Sequence, residues 1–379
     1  MNGTALTENE IIAWLREEDP QKLEVLFRKA DLLRRQHVGE AVHLRGLVEI
    51  SNICRRNCLY CGVRASRSNI KRYRLAAEEV LEGARLAADF GYGTVVIQGG
   101  EDFSLDAVFV AGIVREIKKL GLAVTLSLGE RPEADWRLWR EAGADRYLIR
   151  FETSNRSLFD VIHPRVGKKD SFGFDGRLGS LLTLRGMGYE IGSGVMIGIP
   201  GQSYRDLARD LILFQLLDLD MIGTGPFLAH PETPLGKAAL ALAAAPDAPL
   251  EEKWKLAADA GFDYPIPDDQ VPSSNLMAFK VIALTRLLLP DSNIPSTTAI
   301  ATNDAVHGRV TGLMSGANVV MPNLTPTKYR AMYEIYPNKS ATFDSPEETH
   351  RKAIEQIREA GRTPGTGPGG RRGRPRGRF

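Results

Sequence analysis

The stretch GLVEISNICRRNCLYCGVR, residues 46–64, is made of two unlike halves. GLVEIS (46–51) is a short β-branched apolar run of strand length and composition. The polar loop after it holds Cys54, Cys58 and Cys61, which are all the cysteines of this 379-residue chain. What kind of sheet that strand belongs to is answered by seven further runs: TVVIQ (94–98), AVTLSL (123–128), RYLIR (146–150), IGSGVMIG (191–198), DMIG (220–223), NIPSTTA (293–299) and ANVVMP (317–322). Between them lie stretches of helical period such as LAAEEVLEGARLAADFG and SYRDLARDLILFQLLDLD. Strands alternating with helices call for a parallel sheet. Eight such units fit an α/β fold closed as a (β/α)8 TIM-type barrel with N-terminal helices at residues 8–37, although the count alone leaves an open doubly wound sheet possible.

The ends of the runs favour the barrel, whose active site lies at the C-terminal ends of its strands. The first run leads into the cysteines, the second into Gly99, Gly100 and Glu101, the third into Ser127, and the fourth into Arg150 and Glu152. The fifth ends in Gly198 and Ile199, the seventh in Thr297 and Thr298, and the eighth in Met321. The expected organisation is a helical segment over 1–40, a barrel over 41–345, a helix over 346–361 and a disordered tail over 362–379. Some 65 residues separate the sixth and seventh runs, so an insertion is expected at about 237–275, as a lid, a small cap or a tolerated loop.

The formal charge of +2 hides an asymmetry. The tail RTPGTGPGGRRGRPRGRF carries six arginines and no acid, so the body through residue 361 sums to −4. A Gly/Pro/Arg-rich tail cannot bury a core. Nothing in the body suggests nucleic acid as a partner, and the tail reads as a solvated appendage. No apolar run approaches the roughly 18 residues needed to span a bilayer, and the first twenty residues lack the pattern of a signal peptide. The expected location is the cytoplasm, without membrane contact.

Three clustered cysteines with no distant partner do not make a disulfide framework. A structural zinc site needs four ligands, and His37 and His43, both upstream, are badly spaced to supply one. An iron–sulfur cube has four irons, so three thiolates leave one iron open to a small molecule. C-x3-C-x2-C with Tyr60 before the last cysteine resembles the hallmark of the radical S-adenosylmethionine (SAM) superfamily. That resemblance implies a [4Fe–4S] cluster on Cys54, Cys58 and Cys61, with SAM on the open iron. It also implies SAM contacts from Tyr60, Gly99, Gly100, Glu101, Ser127, Arg150, Glu152, Arg177, Gly198 and Ile199. Glu101 would receive the methionine ammonium, and the backbone of GIPG (198–201) would lie flat against adenine.

Over residues 36–340 the chain is similar to a narrower family. VEISNICRRNCLYCGVR, NIKRYR, AVTLSLGE, GADRYLIRFET, GIPGQ, LTRLLLPDSNIPSTTA and GANVVMPNLTP together resemble the HydE-type [FeFe]-hydrogenase maturases, in one group with biotin synthase and methylornithine synthase. The resemblance implies reductive cleavage of SAM to a 5′-deoxyadenosyl radical in assembly of the hydrogenase H-cluster. It implies a ferredoxin or flavodoxin as low-potential electron donor, the other maturases as partners, and a small-molecule or iron-complex substrate. Arg146, Met221, Thr297, Thr298, Met321 and Tyr333 would line the substrate cavity. No cysteine is left for a second cluster, so none is expected, and sulfur insertion of the biotin-synthase kind is disfavoured. A HydE-like paralogue, a methylornithine-synthase-like mutase and a non-enzymatic iron–sulfur carrier stay open.

Overall fold

The computed structural model describes residues 6–165 and 173–371. Its first helices, α1 (Glu8–Arg16) and α2 (Pro20–Val38), start where the sequence places start signals. Thr7 and Glu10 form a reciprocal capping box on α1, and Asp19 caps α2 with Pro20 in its first turn. Strand and helix then alternate as β1 (Ala41–Ser51), α3 (Ala77–Asp89), β2 (Thr94–Gly99), α4 (Ala107–Lys119), β3 (Ala123–Ser127), α5 (Glu133–Glu141) and β4 (Arg146–Leu148). Two helices, α6 (Arg156–Ile162) and α7 (Phe174–Gly186), precede β5 (Glu190–Ser193), β6 (Met196–Ile197) and α8 (Tyr204–Leu216).

β7 (Met221–Ile222) and β8 (Gly225–Pro226) lead to α9 (Pro234–Ala244), α10 (Leu250–Asp259) and α11 (Asn275–Leu288). Then come α12 (Thr298–Asn303), α13 (Gly308–Met314), β9 (Val319–Val320), α14 (Thr327–Arg330), α15 (Pro346–Glu359) and β10 (Thr363–Gly365). Among the described residues no helix is long and apolar enough to cross a membrane.

The pairings close a ring. β1 to β5 and then β7 pair in sequence, all parallel. Beyond β7, Met221 bridges Asn293, Pro295 bridges Val319, and β9 returns to β1 through His43 and Leu44. All eight runs read from the sequence are members of this ring. The seventh is held by single bridges rather than a ladder, because Pro295 has no N–H to give. β6 and β8 pair separately and carry the fifth and sixth strands toward the mouth. A Cβ on Gly194 would overlap the Gly223 carbonyl, so only glycine lets the chains approach where β5 hands over to β6.

The insertion has a small core of its own. α9 and α10 pack on each other, and Leu235, Ala238, Ala257, Phe262 and Ile266 join Leu158 and Ile162 of α6 and Ile199. Leu59 and Tyr60 from the cysteine loop lean on this cluster, and Leu235 N–H donates to the Leu59 carbonyl at 3.0 Å. The insertion therefore braces the loop. α11, by contrast, belongs to the barrel and packs on α2 and α8.

The tail departs from expectation. Through residue 371 it is ordered, and it closes the N-terminal end of the barrel. β10 adds to β1 at Ala41–His43, and the chain then passes under the strands. The Pro368 carbonyl accepts from Thr94 Oγ1 at 2.9 Å and Arg146 Nη2 at 2.8 Å. The Gly369 carbonyl accepts from Arg45 Nη2 and Asn293 Nδ2, both at 3.1 Å. Arg371 then ties down to Asp218 at 2.6 Å and Asp291 at 2.7 Å. Glycine and proline suit this role because backbone carbonyls do the binding, and a Cβ on Gly93 would already overlap the Gly367 carbonyl. The rest of the tail, 372–379, lies outside the described residues.

Candidate active site

At the opposite end of the barrel, the loop from β1 carries the three cysteines, all free and partly buried. Its backbone is pinned on several sides. Gly100 N–H donates to the Ser51 carbonyl at 2.9 Å, Leu59 N–H to that of Ile162 at 2.9 Å, and Gly62 N–H to that of Ile335 at 2.9 Å. Asn52 holds the loop's start by donating to the carbonyls of Lys71 and Met332 at 2.8 and 2.7 Å. Cys54 Sγ accepts the backbone N–H groups of Glu101 at 3.3 Å and Arg56 at 3.4 Å. Such donors favour a thiolate, as a metal-bound sulfur requires.

Burial pushes all three thiols up, and the neighbouring cysteines add to the effect at Cys58 and Cys61, the latter reaching about 12. Three adjacent thiolates are thus unfavourable alone, and a polycation bound between them removes the conflict. Among the described residues no three His, Cys, Asp or Glu side chains converge to hold a single metal ion. A cube takes each thiolate on a different iron, so its ligands need not share a point. The donor set fits an iron–sulfur cube.

A cavity of about 680 Å³ opens beside the loop, inside the ring and at the strand ends. Tyr60, Cys61, Gly99, Ser127, Arg150, Glu152, Arg177, Thr297, Thr298, Met321 and Tyr333 all reach its wall. The Tyr60 hydroxyl lies 2.9 Å from His163 Nε2, and His163 Nδ1 lies 3.2 Å from the Phe159 carbonyl. A carbonyl can only accept, so Nδ1 carries the proton and Tyr60 donates to Nε2. Burial holds His163 well below the usual imidazole range, which keeps it neutral for that role.

Arg150 and Glu152 face each other across 3.0 Å. The contact lacks hydrogen-bond alignment, and Nε and Nη2 of Arg150 and Oε2 of Glu152 are buried without a hydrogen-bond partner. Burial pushes the Glu152 carboxyl up, against the pull of Arg150 and Arg177, and its backbone sits at φ 62°, a strained value for a side-chain-bearing residue. Orphaned donors and an orphaned acceptor on one wall suit a ligand with both carboxylate and hydroxyl groups, as SAM has. Arg177 is fixed by Glu130 at 2.5 Å and by donating to the Arg150 carbonyl at 2.7 Å.

Other expected contacts sit elsewhere. Glu101 is buried behind the loop rather than on the cavity wall. Its carboxylate takes Arg56 Nε at 2.8 Å and Glu130 N–H at 3.0 Å, so an arginine occupies it rather than an open ammonium site. A Cβ on Gly100 would overlap the Ile53 carbonyl, which explains that glycine by loop packing. Gly198, at φ 79°, is crowded by the backbone of Pro272 and Ser273, and Ile199 lies in the insertion's core. The flat approach expected for adenine is taken at Gly198 by the chain itself.

Two cavity residues are corrected outright. Arg146 opens its strand instead of ending it, so it lies at the floor, bound to Glu190 at 2.6 Å, Thr94 at 3.1 Å and the Pro368 carbonyl. Met221, also a first strand residue, packs there with its sulfur 3.0 Å from Arg45 Nη1. Thr297 is on the wall, but its hydroxyl donates to the Thr224 carbonyl at 3.1 Å, a strand-end duty.

Among the wall residues unread in the sequence are Glu49, Lys339, Tyr336 and Arg309. Glu49 is bound by Lys339 Nζ at 2.7 Å and Asn323 Nδ2 at 3.1 Å, all buried. An acid in the apolar run LVEIS was the available signal. Nothing in the sequence ties it to a lysine 290 positions away.

Comparison with known proteins agrees with this geometry. The family model described as the radical SAM superfamily matches residues 48–213. The [FeFe] hydrogenase maturase subunit HydE of Thermotoga maritima is 44% identical over 349 residues, covering 92% of this chain and 89% of that protein. The 3-methylornithine synthase of Methanosarcina acetivorans is 26% identical, over 84% of this chain and 80% of its own length. The crystal structure of methylornithine synthase (PylB) superposes with a TM-score of 0.74 at 22% identity, over 96% of this chain and 95% of that one, and so shares the fold. With its cysteine loop, closed parallel ring and near full-length similarity, the chain belongs to the radical SAM superfamily and, within it, to the family of the hydrogenase maturase HydE.

Proposed function

We propose that this chain is a HydE-type maturase that cleaves SAM reductively in the cavity at the strand ends and acts in assembly of the [FeFe]-hydrogenase H-cluster. The observation that carries the reading is that Cys61, last of the three cysteines, lies on the wall of the same cavity as Arg150, Glu152 and Arg177. Cys54, Cys58 and Cys61 would hold a [4Fe–4S] cluster, which when reduced would supply the electron for reductive cleavage of SAM. The protein's part is to hold and to exclude. Arg150 and Glu152 offer the atoms that they leave without hydrogen bonds to the amino-acid and ribose ends of SAM, and Arg177 adds positive charge beside them. Tyr60, locked by His163, and the apolar Met196 and Phe227 shield the reacting end from water.

With every cysteine in one loop, a second thiolate-bound cluster is not part of the proposal. The partners are a ferredoxin- or flavodoxin-type donor and the other hydrogenase maturases, with a small iron complex as substrate. The methylornithine-synthase-like mutase is the second reading, supported by similarity to 3-methylornithine synthase over 84% of the chain. Anaerobic reconstitution, dithionite reduction and quantification of 5′-deoxyadenosine test the chemistry. Wild type is expected to release the nucleoside, and Cys58→Ala to fall to background. A full cluster without nucleoside, with iron-complex and amino-acid substrates supplied, would leave only a carrier role.

A further inference from the structure

One carboxylate joins the cysteine loop to the cavity wall. Glu130, in the loop after β3, is 1% exposed, and each of its oxygens holds a different arginine. Oε1 accepts from Arg177 Nε and Oε2 from Arg56 Nη2, both at 2.5 Å. Arg177 belongs to α7 and lines the cavity, while Arg56 lies between Cys54 and Cys58. Arg177 commits its Nη1 to the Arg150 carbonyl at 2.7 Å, so Nη2 is its one nitrogen without a hydrogen-bond partner among the described residues. Arg56 fastens the loop through its backbone. Its N–H donates to Cys54 Sγ at 3.4 Å, and its carbonyl accepts from Ala65 N–H at 2.8 Å. Glu130 is itself held: its N–H donates to Glu101 Oε2 at 3.0 Å, and Glu101 Oε1 takes Arg56 Nε at 2.8 Å. Gly129 before it sits at φ 75°, and a Cβ there would meet the Glu101 carboxylate at 2.7 Å. Arg131 after it donates to the carbonyls of Asp102 and Leu105, both at 2.9 Å. The result is a chain of alternating charge, Glu101–Arg56–Glu130–Arg177, that runs from behind the loop to the wall.

We propose that Glu130 is a positioning residue, which holds Arg177 on the wall and the cysteine loop in register through its single carboxylate. The proposal rests on the reading that SAM binds this wall beside a cluster on that loop. A binding group is only as well placed as the residues that hold it, and here one acid holds both sides. Its suitability is a matter of acceptor count. A carboxylate accepts at both oxygens and so serves two guanidiniums at once. An amide has one acceptor oxygen, and its NH2 would face the N–H of the second arginine. Glu130→Gln therefore keeps at most one of the two bonds, and it also removes the negative charge that lies between two cations.

The test compares wild type, Glu130→Gln and Glu130→Asp as full chains. The dissociation constant of SAM is measured on reconstituted protein by equilibrium dialysis, and amide hydrogen exchange of residues 54–65 is followed in cluster-free protein. Glu130→Gln is expected to weaken SAM binding about tenfold, the loss of one charge-assisted hydrogen bond. It is expected to speed exchange in the loop but not in the tail at 363–371. Glu130→Asp, which keeps both oxygens on a shorter side chain, is expected to recover part of each effect. Unchanged SAM binding or unchanged loop exchange in Glu130→Gln overturns the proposal, even if the unfolding midpoint falls. Should Glu130→Gln fail to fold, Glu130→Asp decides by the same two readings, and a wild-type value in either overturns it. Release of 5′-deoxyadenosine by wild type is measured on the same preparation. A wild type that binds SAM but releases no nucleoside sinks the radical reading, while the comparison of variants still decides the part played by Glu130.

Discussion

The two ends of this barrel are both built from arginines and acids, yet they differ in what those charges are tied to. At the floor, Arg146 commits all three guanidinium nitrogens, to Glu190, Thr94 and the Pro368 carbonyl. At the mouth, Arg150 leaves Nε and Nη2 without hydrogen bonds, and Arg309 has no partner among the described residues. The residue type is the same, but Arg146 is 2% exposed and the Arg150 side chain 33%. What separates the two ends is whether the chain itself supplies the hydrogen-bond acceptors.

The strongest way to break this contrast is to remove the floor's acceptors. Deleting residues 362–379 leaves Arg45, Thr94, Arg146 and Asn293 without the carbonyls they now reach. At about 1–3 kcal/mol for each buried orphan, a loss of at least about 4 kcal/mol is expected, read as a fall in the urea midpoint. Gly93→Ala, whose methyl overlaps Gly367, is expected to move the midpoint in the same direction. An unchanged midpoint in both would mean the strap adds nothing to the fold.

A smaller effect is expected at the mouth. Lys339→Met strands the Glu49 carboxylate with Asn323 alone and should cost about 3 kcal/mol, the usual penalty for breaking a buried pair. The double change Glu49→Gln/Lys339→Met should recover most of it. If the double variant is no better than the single, Glu49 is not the residue that suffers.

A slope with pH is also expected. Asp210 is fully buried behind the mouth, bonded by Ser154 N–H and Gln202 Nε2, and burial pushes its carboxyl up to about 8 from an ordinary 3.8. The folded state therefore holds a proton that the unfolded state has released. The stability this gives is full below about pH 4 and is lost as pH rises to about 8. Asp210→Asn is expected to flatten that fall in a series of denaturation curves. A parallel slope in the variant would place the proton elsewhere.

Much of this was legible in the sequence because it is periodic or local. The eight apolar runs and the C-x3-C-x2-C loop declare themselves within a few residues of one another. Arg146 and Met221 were misplaced although the rule was at hand, since each begins its strand and the active end of a barrel is where strands finish. The tail could not be read at all. Its Gly/Pro/Arg composition signals disorder, and its acceptors and donors come from strands scattered between Arg45 and Asn293. The Glu49–Lys339 pair hides for the same reason, as contact across 290 positions leaves no local pattern.

The last described segment completes the underside of the barrel. Residues 363–371 follow every strand of the ring along the chain, yet they carry the acceptors for polar side chains on its first, second, fourth and seventh members. During synthesis from the N-terminus, the ring can assemble around the cysteine loop while its underside is still wet and its arginines still hydrated. The floor dries only when the last segment arrives. A fusion that holds residues 363–371 away from the barrel would leave those four side chains without these acceptors.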